Sequence, residues 1–254
     1  MRIFQRLLAF VFVCPLGCSP NYRDDLDYSY EVVQTWPNED IHFGEIVQFA
    51  GVPFEPDDTA KLRKMIVDDA IVSNRDVLQI GIETGLLAVL CLQNDAGQVV
   101  AIDANPAAVE NTRYNAATLS SEDKLDVRQI PADAVSPFSV IKPGEKFDLI
   151  LCNLPWIPSE EGKRSSEAVQ DAILDELPNH LSAGGKCLFV YGNQTAIERL
   201  QGESEQRNLA CKQLDDRTLD SLDQEFRPGM LLELRLALPT PKVSDADTIE
   251  SSSE

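Results

Sequence analysis

The sequence predicts an α/β fold in which a doubly wound, mostly parallel sheet of about seven strands carries helices on both faces. Two observations predict it. Apolar segments of strand length alternate with segments of helical periodicity from Thr59 onward, and the spacing between them is typical of βαβ units. A chain of 254 residues, 43% hydrophobic and 25% charged, has a globular composition. We therefore place one α/β domain at residues 59–238.

The first half of this domain alternates helices with strands. A helix is predicted after Thr59, a suitable N-cap, because Leu62, Met65 and Ile66 share one face. The elements that follow are a strand at 77–80, a helix at 86–93, a strand at 99–103, a helix from Pro106 to about residue 117 and a strand at 125–130.

The second half continues the pattern. A strand is predicted at 147–152, followed by a helix from about residue 166 to 181 that Gly184 and Gly185 would stop. Two more strands are predicted at 187–191 and 230–238. Residues 18–58 are acidic, aromatic and interrupted by prolines, which indicates a partly ordered extension. Residues 239–254 have the Ser/Asp/Glu/Pro composition of a disordered acidic tail.

The N-terminus has the features of a bacterial export signal. Arg2 and Arg6 flank the apolar run 7–13, which is too short to span a bilayer and is typical of a secretory signal peptide. Residues 16–19, Leu-Gly-Cys-Ser, resemble a lipoprotein box, although Pro15 departs from it. We expect residues 1–17 to be the signal and Cys18 to carry a lipid that anchors the protein to the membrane. The alternative is a cytoplasmic protein whose leader is not a functional signal.

Charge and composition disfavour two classes of ligand. With 42 acidic and 22 basic residues the formal net charge is −20, which repels nucleic-acid phosphates. The cysteines form no C-x-x-C pair, and His42 and His180 have no partner cluster, so no metal site is predicted. Cys152 and Cys187 fall in predicted strands and are expected to be core residues.

A candidate cofactor loop follows the first strand of the domain. Gly81 and Gly85 permit a tight turn and close approach of the backbone to a ligand. Asp103 ends the second strand, where its carboxylate can accept hydrogen bonds from ribose hydroxyls. A dinucleotide fingerprint needs glycine at positions 81, 83 and 86, and the last two are Glu and Leu. This spacing favours a nucleoside–methionine cofactor over NAD.

A candidate acceptor site follows the strand at 147–152. This strand ends in Asn153-Leu154-Pro155-Trp156, which combines an amide, a stiff turn and a flat ring. The amide oxygen can accept hydrogen bonds from a planar NH₂ group, and the indole can stack on it. The alternative is a structural role, with Asn153 forming a turn and Trp156 belonging to the core.

With these motifs the chain resembles class I S-adenosylmethionine-dependent methyltransferases, and within them the HemK-like or small-domain branch, which methylates planar nitrogens. The resemblance implies a Rossmann-like fold. It rests on the order of several motifs: Asp58-Thr59, the loop 81–85, Asp103-Ala-Asn-Pro with Asn111 and Asn115, Ala132-Asp133, Asn153-Leu-Pro-Trp and Gly184-Gly185.

The resemblance also implies roles for single residues. Gly81 and Gly85 would line the methionine part of S-adenosylmethionine, Asp103 would bind its ribose, and Asp133 its adenine amine. The residues of the Asn153–Trp156 motif would hold the nitrogen that is methylated. That nitrogen would belong to a side-chain amide or exocyclic amine of a protein or a small molecule.

Three residues depart from the family pattern. Gln79 replaces an acidic residue, Glu83 replaces a glycine, and Leu154 replaces the commoner proline of the acceptor motif. A charged Glu83 near the carboxylate of the cofactor would cost about 1–4 kcal/mol. We therefore keep two hypotheses: an active N-methyltransferase, which we favour, and an inactive methyltransferase-fold protein that serves as a membrane-anchored binding or structural module.

Overall fold

The computed structural model describes residues 30–37, 39, 44–119, 122–157 and 165–237. Its centre is a seven-stranded sheet. In chain order the strands are β3 (Asp76–Ile80), β4 (Gln98–Asp103), β5 (Leu125–Gln129), β6 (Phe147–Asn153), β7 (Leu181–Asn193), β8 (Leu209–Gln213) and β9 (Glu225–Leu236), after an N-terminal pair β1 (Val32–Pro37) and β2 (Glu45–Phe49). The seven strands lie in the order β5-β4-β3-β6-β7-β9-β8.

Five α-helices of the described part cover both faces of this sheet: α1 (Ala60–Asp68), α2 (Leu86–Gln93), α3 (Pro106–Leu119), α4 (Ser166–His180) and α5 (Gln194–Gln206). The first three pack on one face and the last two on the other, each over its own cluster of buried apolar residues. Alternate strand residues supply the two clusters, as a pleated strand requires, with Val77 in one and Leu78 in the other. The predicted doubly wound α/β fold is confirmed.

The order of strands creates a crevice at one end of the sheet. Strands β3 to β7 are parallel, and β9 runs antiparallel between β7 and β8. The chain builds outward from β3 through β4 to β5 and then returns to place β6 on the other side of β3. Ligands of open parallel sheets bind beyond the carboxyl ends of the strands at such a reversal. The loop after β3, Asp103 and Asn153 all lie there.

The N-terminal segment is more regular than its sequence predicts. Strands β1 and β2 form an antiparallel pair, and β2 lies along α3, where two buried amides bind its backbone. Asn111 Oδ1 accepts from the Phe49 N–H at 2.9 Å, and Asn115 Oδ1 accepts from the Val47 N–H at 3.0 Å. Asn115 Nδ2 also donates to the Thr84 carbonyl at 2.7 Å. Asparagines four residues apart share one helix face, so they join the pair to the loop after β3.

Other boundaries also differ from the prediction. Helix α4 ends at His180, and Gly184 and Gly185 lie inside β7, where the pairing with β6 shifts register. The glycines therefore form an irregularity within a strand rather than a helix stop. Thr59 occupies the N-cap of α1 without a side-chain cap bond. Helix α5 and strand β8 were not among the elements predicted from the sequence.

The predicted signal peptide, Cys18, His42 and residues 238–254 lie outside the described residues. Within the described part, no helix combines the length and the apolar character needed to cross a bilayer.

The amides of α3 give a first prediction. Replacing Asn115 by alanine leaves the Val47 N–H and the Thr84 carbonyl without their partners. We expect the free energy of unfolding to fall by roughly 2–4 kcal/mol, measured by urea denaturation. Thr118→Ala, on the exposed face of the same helix, should change it by less than about 0.5 kcal/mol. Equal effects of the two substitutions would contradict this role of Asn115.

Candidate active site

Two glycines allow the loop after β3 to adopt its path. Gly81 and Gly85 have φ of 77° and 84°, in the left-handed region that glycine tolerates best. A Cβ at Gly81 would overlap the backbone oxygen of Asn153, so the loop touches the end of β6 only because this residue lacks a side chain. A Cβ at Gly85 would lie 2.8 Å from Thr112 Cα. Gly81 lines the cavity described below, whereas Gly85 is buried at the contact between α2 and α3.

Asp103 fixes the same loop from the neighbouring strand. Its Oδ2 accepts from the Ile82 N–H and its Oδ1 from the Asn105 N–H, both at 2.8 Å. Burial raises the pKa of Asp103, and the backbone hydrogen bonds partly offset that rise. Asp103 also lines the cavity described below, so a ligand can reach its carboxylate. Gln79 supports the loop as well, because its Nε2 donates to the Gly81 carbonyl at 3.2 Å.

The motif that follows β6 presents an amide to the cavity. The Asn153 side chain has no hydrogen bond to any described residue, and it lines the cavity with Leu154, Pro155 and Trp156. Ser166 holds the turn, since its Oγ donates to the Pro155 carbonyl at 3.3 Å and accepts from the Ile157 N–H at 2.8 Å. The turn is thus fixed, and the side-chain amide of Asn153 can still form hydrogen bonds with a ligand.

The ring of Trp156 is held from behind by a second aromatic. Tyr191 of β7 meets it edge-on, with ring centroids 6.2 Å apart and planes at 84°. Tyr191 is buried, and its hydroxyl accepts from Gln170 Nε2 at 3.4 Å. Trp156 itself is half-buried. One side of the indole therefore packs against the protein, and the residue borders the cavity.

A cavity of about 880 Å³ joins the loop and the acceptor motif. This volume lies in the range of small-molecule and cofactor sites. Its wall includes Gly81, Asp103 and the Asn153–Trp156 motif, in agreement with the sequence prediction. It also includes residues outside the predicted site, from β2, from the segment between β2 and α1 and from the start of β9: Gln48, Pro53, Phe54, Glu55, Glu225, Phe226 and Arg227.

Asp133 is not brought into this cavity. It lies in an exposed turn after β5, one strand beyond β4, and is absent from the cavity wall. Its predicted contact with the adenine amine stays a prediction. No group of three or more His, Cys, Asp or Glu side chains within the described residues could hold a metal ion.

Glu83 has an unusual environment in the loop. Its φ of 48° lies in the left-handed region, where glycine is the common residue. Burial, reinforced by the charges of Asp58, Asp103 and Glu55, raises the pKa of Glu83 to about 8. The carboxyl is therefore mostly protonated at neutral pH. The negative charge expected at this position from the sequence is reduced near pH 7, because burial and then the neighbouring carboxyls favour the protonated form.

An ion pair closes one side of the cavity. Arg227 Nη1 lies 2.6 Å from Glu55 Oε2, and Arg227 Nε lies 3.6 Å from Asp58 Oδ1. Burial raises the pKa of Asp58, while the Arg227 charge acts in the opposite direction. The pair links the segment before α1 to the start of β9, two parts of the chain that are distant in sequence.

Comparison with known proteins identifies the type of domain. The sequence pattern of the methyltransferase small domain matches residues 56–213, a range that contains the loop, Asp103 and the Asn153–Trp156 motif. A putative protein N5-glutamine methyltransferase of Methanocaldococcus jannaschii is 32% identical over 156 residues, which cover 56% of this chain and 73% of the relative.

A second relative has a different kind of substrate in its name. The tRNA1(Val) (adenine(37)-N6)-methyltransferase of Vibrio parahaemolyticus is 32% identical over 125 residues, which cover 45% of this chain and 49% of the relative. Among solved structures, the ribosomal protein L11 methylase of Lactobacillus delbrueckii subsp. bulgaricus has a TM-score of 0.55 at 17% identity, over 74% of this chain and 83% of the other. This likeness supports the fold.

The raised pKa of Glu83 gives a second prediction. Between about pH 4.5 and 8 the folded chain keeps the proton that the unfolded chain releases, so the stability contributed by Glu83 is complete below this window and is lost as pH rises through it. Across the window, wild type should lose roughly 3–5 kcal/mol of unfolding free energy relative to Glu83→Gln. Urea denaturation at several pH values measures the difference.

The exposed neighbour Asp57 provides the control. Asp57→Asn removes a carboxyl that lies beside Asp58 but outside the cavity wall, and it should leave the pH dependence of stability unchanged. Parallel pH profiles for wild type and Glu83→Gln would show that Glu83 ionises as an ordinary glutamate.

Proposed function

The chain belongs to the methyltransferase small domain family, and we propose that it methylates a planar nitrogen, namely the side-chain amide of a protein or of a small molecule. Membership confirms the resemblance drawn from the sequence: the protein is an S-adenosylmethionine-dependent methyltransferase. The observation that carries the proposal is the contact of the loop at Gly81 with the end of β6, where the amide of Asn153, which has no hydrogen bond to a described residue, lines the same cavity.

The residues present fit the methyl donor. Gly81 leaves the loop backbone open to close approach, and Asp103 presents its carboxylate to the same cavity, where hydroxyl groups of the donor can donate to it. Glu83 is mostly neutral near pH 7 and so does not oppose a ligand carboxylate. When bound, S-adenosylmethionine supplies a methyl group on a sulfonium, so that the C–S bond breaks with its electron pair left on sulfur while the nitrogen lone pair forms the new C–N bond.

The acceptor motif would orient the substrate nitrogen towards the methyl group. The lone pair of an amide nitrogen is delocalised into its carbonyl, which makes the nitrogen a weak nucleophile. By accepting a hydrogen bond from the NH₂ group, Asn153 Oδ1 would increase electron density on that nitrogen and aim it at the methyl group. Trp156, backed by Tyr191, would stack on the amide plane. The nitrogen then releases one proton to water, and positioning provides most of the rate enhancement.

The acidic side chains of the cavity favour an amide substrate over a base of a nucleic acid. The wall carries the carboxyls of Glu55, Asp58, Glu83, Asp103 and Glu225, and Arg227 is its one cationic side chain among the described residues. Binding of a nucleic acid requires cations for its phosphates, and the net charge of the whole chain is −20. The relatives include a protein N5-glutamine methyltransferase, as well as a tRNA adenine methyltransferase. No observation on the described residues favours the alternative of an inactive, membrane-anchored relative.

This proposal predicts the fate of a labelled methyl group. Purified chain incubated with methyl-labelled donor and with separate protein and RNA extracts should label protein, and acid hydrolysis of the product should release labelled methylamine from methylated amide. Asn153→Ala should lower the transfer at least about a hundredfold, because the acceptor nitrogen is no longer aligned.

Donor binding serves as the internal control for this variant. Asn153→Ala removes no group that touches Asp103 or its partners, so its affinity for the donor, measured by calorimetry, should stay within about threefold of wild type. Label that enters RNA alone would refute the amide substrate. Unchanged transfer in the variant would remove Asn153 from the catalytic machinery.

A further inference from the structure

The cavity wall contains more acidic than basic side chains. It contains five carboxyl side chains and the single guanidinium of Arg227, counted over the described residues. That guanidinium is already engaged by Glu55 at 2.6 Å and lies 3.6 Å from Asp58. Cavities with low-dielectric walls and charges of one sign favour ligands of the opposite sign. A cationic ligand therefore gains from this wall, and a neutral one does not.

Within this wall Glu83 is the group closest in sequence to the reacting region. It lies two residues beyond Gly81, which touches the backbone of Asn153. Its side chain is partly exposed in the cavity wall, its carboxyl makes no hydrogen bond to a described residue, and its backbone has a left-handed φ of 48°. An unpaired carboxyl at this point therefore has the capacity to interact with a ligand.

We propose that Glu83 makes the cavity discriminate between the cationic methyl donor and its uncharged thioether product. This inference rests on the proposed function, because it requires the donor to bind in this cavity. Donor and product share their adenosine, ammonium and carboxylate groups and differ only at sulfur, which carries a methyl group and a positive charge in the donor. A methyl group directed at a nitrogen held by Asn153 must lie where the loop meets the acceptor motif, and Glu83 lines the same cavity from that loop.

The loss of positive charge on sulfur during the reaction should favour release of the product. Transfer of the methyl group removes the positive charge from sulfur, so the attraction to Glu83 and to the other carboxyls is lost in the same step. The product is then held less tightly than the donor, and its release is favoured. Glu83 would thus be the residue that makes the cavity prefer the methyl donor over its demethylated product.

The discrimination should depend on pH. Glu83 faces the carboxyls of Asp58, Asp103 and Glu55, and Arg227 is paired with two of these. Since its pKa is raised to about 8, Glu83 gains its charge as pH rises towards and through that value. A neighbouring sulfonium stabilises the ionised form of Glu83, so in the donor complex Glu83 ionises at a lower pH. The preference for donor over product should therefore grow between about pH 6.5 and 8.5.

Calorimetry on the full chain tests this inference. S-adenosylmethionine and S-adenosylhomocysteine are titrated at both pH values, and the ratio of their dissociation constants is compared. In wild type the preference for the donor should increase roughly five- to tenfold at the higher pH. In Glu83→Gln the ratio should stay constant. Asp57→Asn, which removes an exposed carboxyl outside the cavity wall, should keep the wild-type increase.

The outcomes separate this inference from the proposal on which it rests. A ratio that does not change with pH in wild type, or that rises equally in Glu83→Gln, overturns the role of Glu83 and leaves the methyltransferase assignment intact. If neither ligand binds the folded wild-type chain, the proposed function fails and this inference fails with it. Circular dichroism verifies folding, and Glu83→Gly, which fits the left-handed φ, replaces Glu83→Gln should the latter not fold.

Discussion

The structure depends on one close contact, that of Gly81 with the backbone of Asn153. Because β3 and β6 are adjacent parallel strands, their carboxyl ends meet at the same edge of the sheet, and a glycine at the end of β3 lets the two backbones touch. A side chain at position 81 would separate the loop from the acceptor motif. Asp103 stabilises the arrangement, since its carboxylate binds the Ile82 N–H next to that glycine. Donor and acceptor groups thus share one cavity as a direct result of strand order.

The N-terminal strand pair contributes to the same cavity through α3. The side-chain amides of Asn111 and Asn115 hydrogen-bond the backbone of β2. Asn115 also donates to the Thr84 carbonyl of the loop after β3. The segment that follows β2 then supplies Phe54, Glu55 and Asp58 to the cavity wall. Burial of Glu83, together with the nearby charges of Asp58, Asp103 and Glu55, raises its pKa to about 8. The raised pKa lowers the negative charge that Glu83 would place beside a cofactor near pH 7.

The sequence predicts the central strands well and the periphery poorly, for physical reasons. Buried parallel strands are continuous apolar runs, and the predicted strand at 147–152 differs by one residue from Phe147–Asn153. Strand β1 is almost entirely exposed and has no such signal. Its partner β2 is held by side-chain amides from α3, a contact that no local pattern reveals. Gly184 and Gly185 have the composition of a helix stop, yet they lie within β7, because glycine pairs accompany strand irregularities as well.

The central claim is that one cavity binds the methyl donor beside the acceptor motif. The most direct measurement is calorimetric titration of the full chain with S-adenosylmethionine near pH 7, in wild type and in Asp103→Ala. We expect saturable binding in wild type, and affinity lowered by at least about tenfold in the variant, which loses the carboxylate at the end of β4. The absence of binding at millimolar donor, with the protein shown to be folded, would contradict the account.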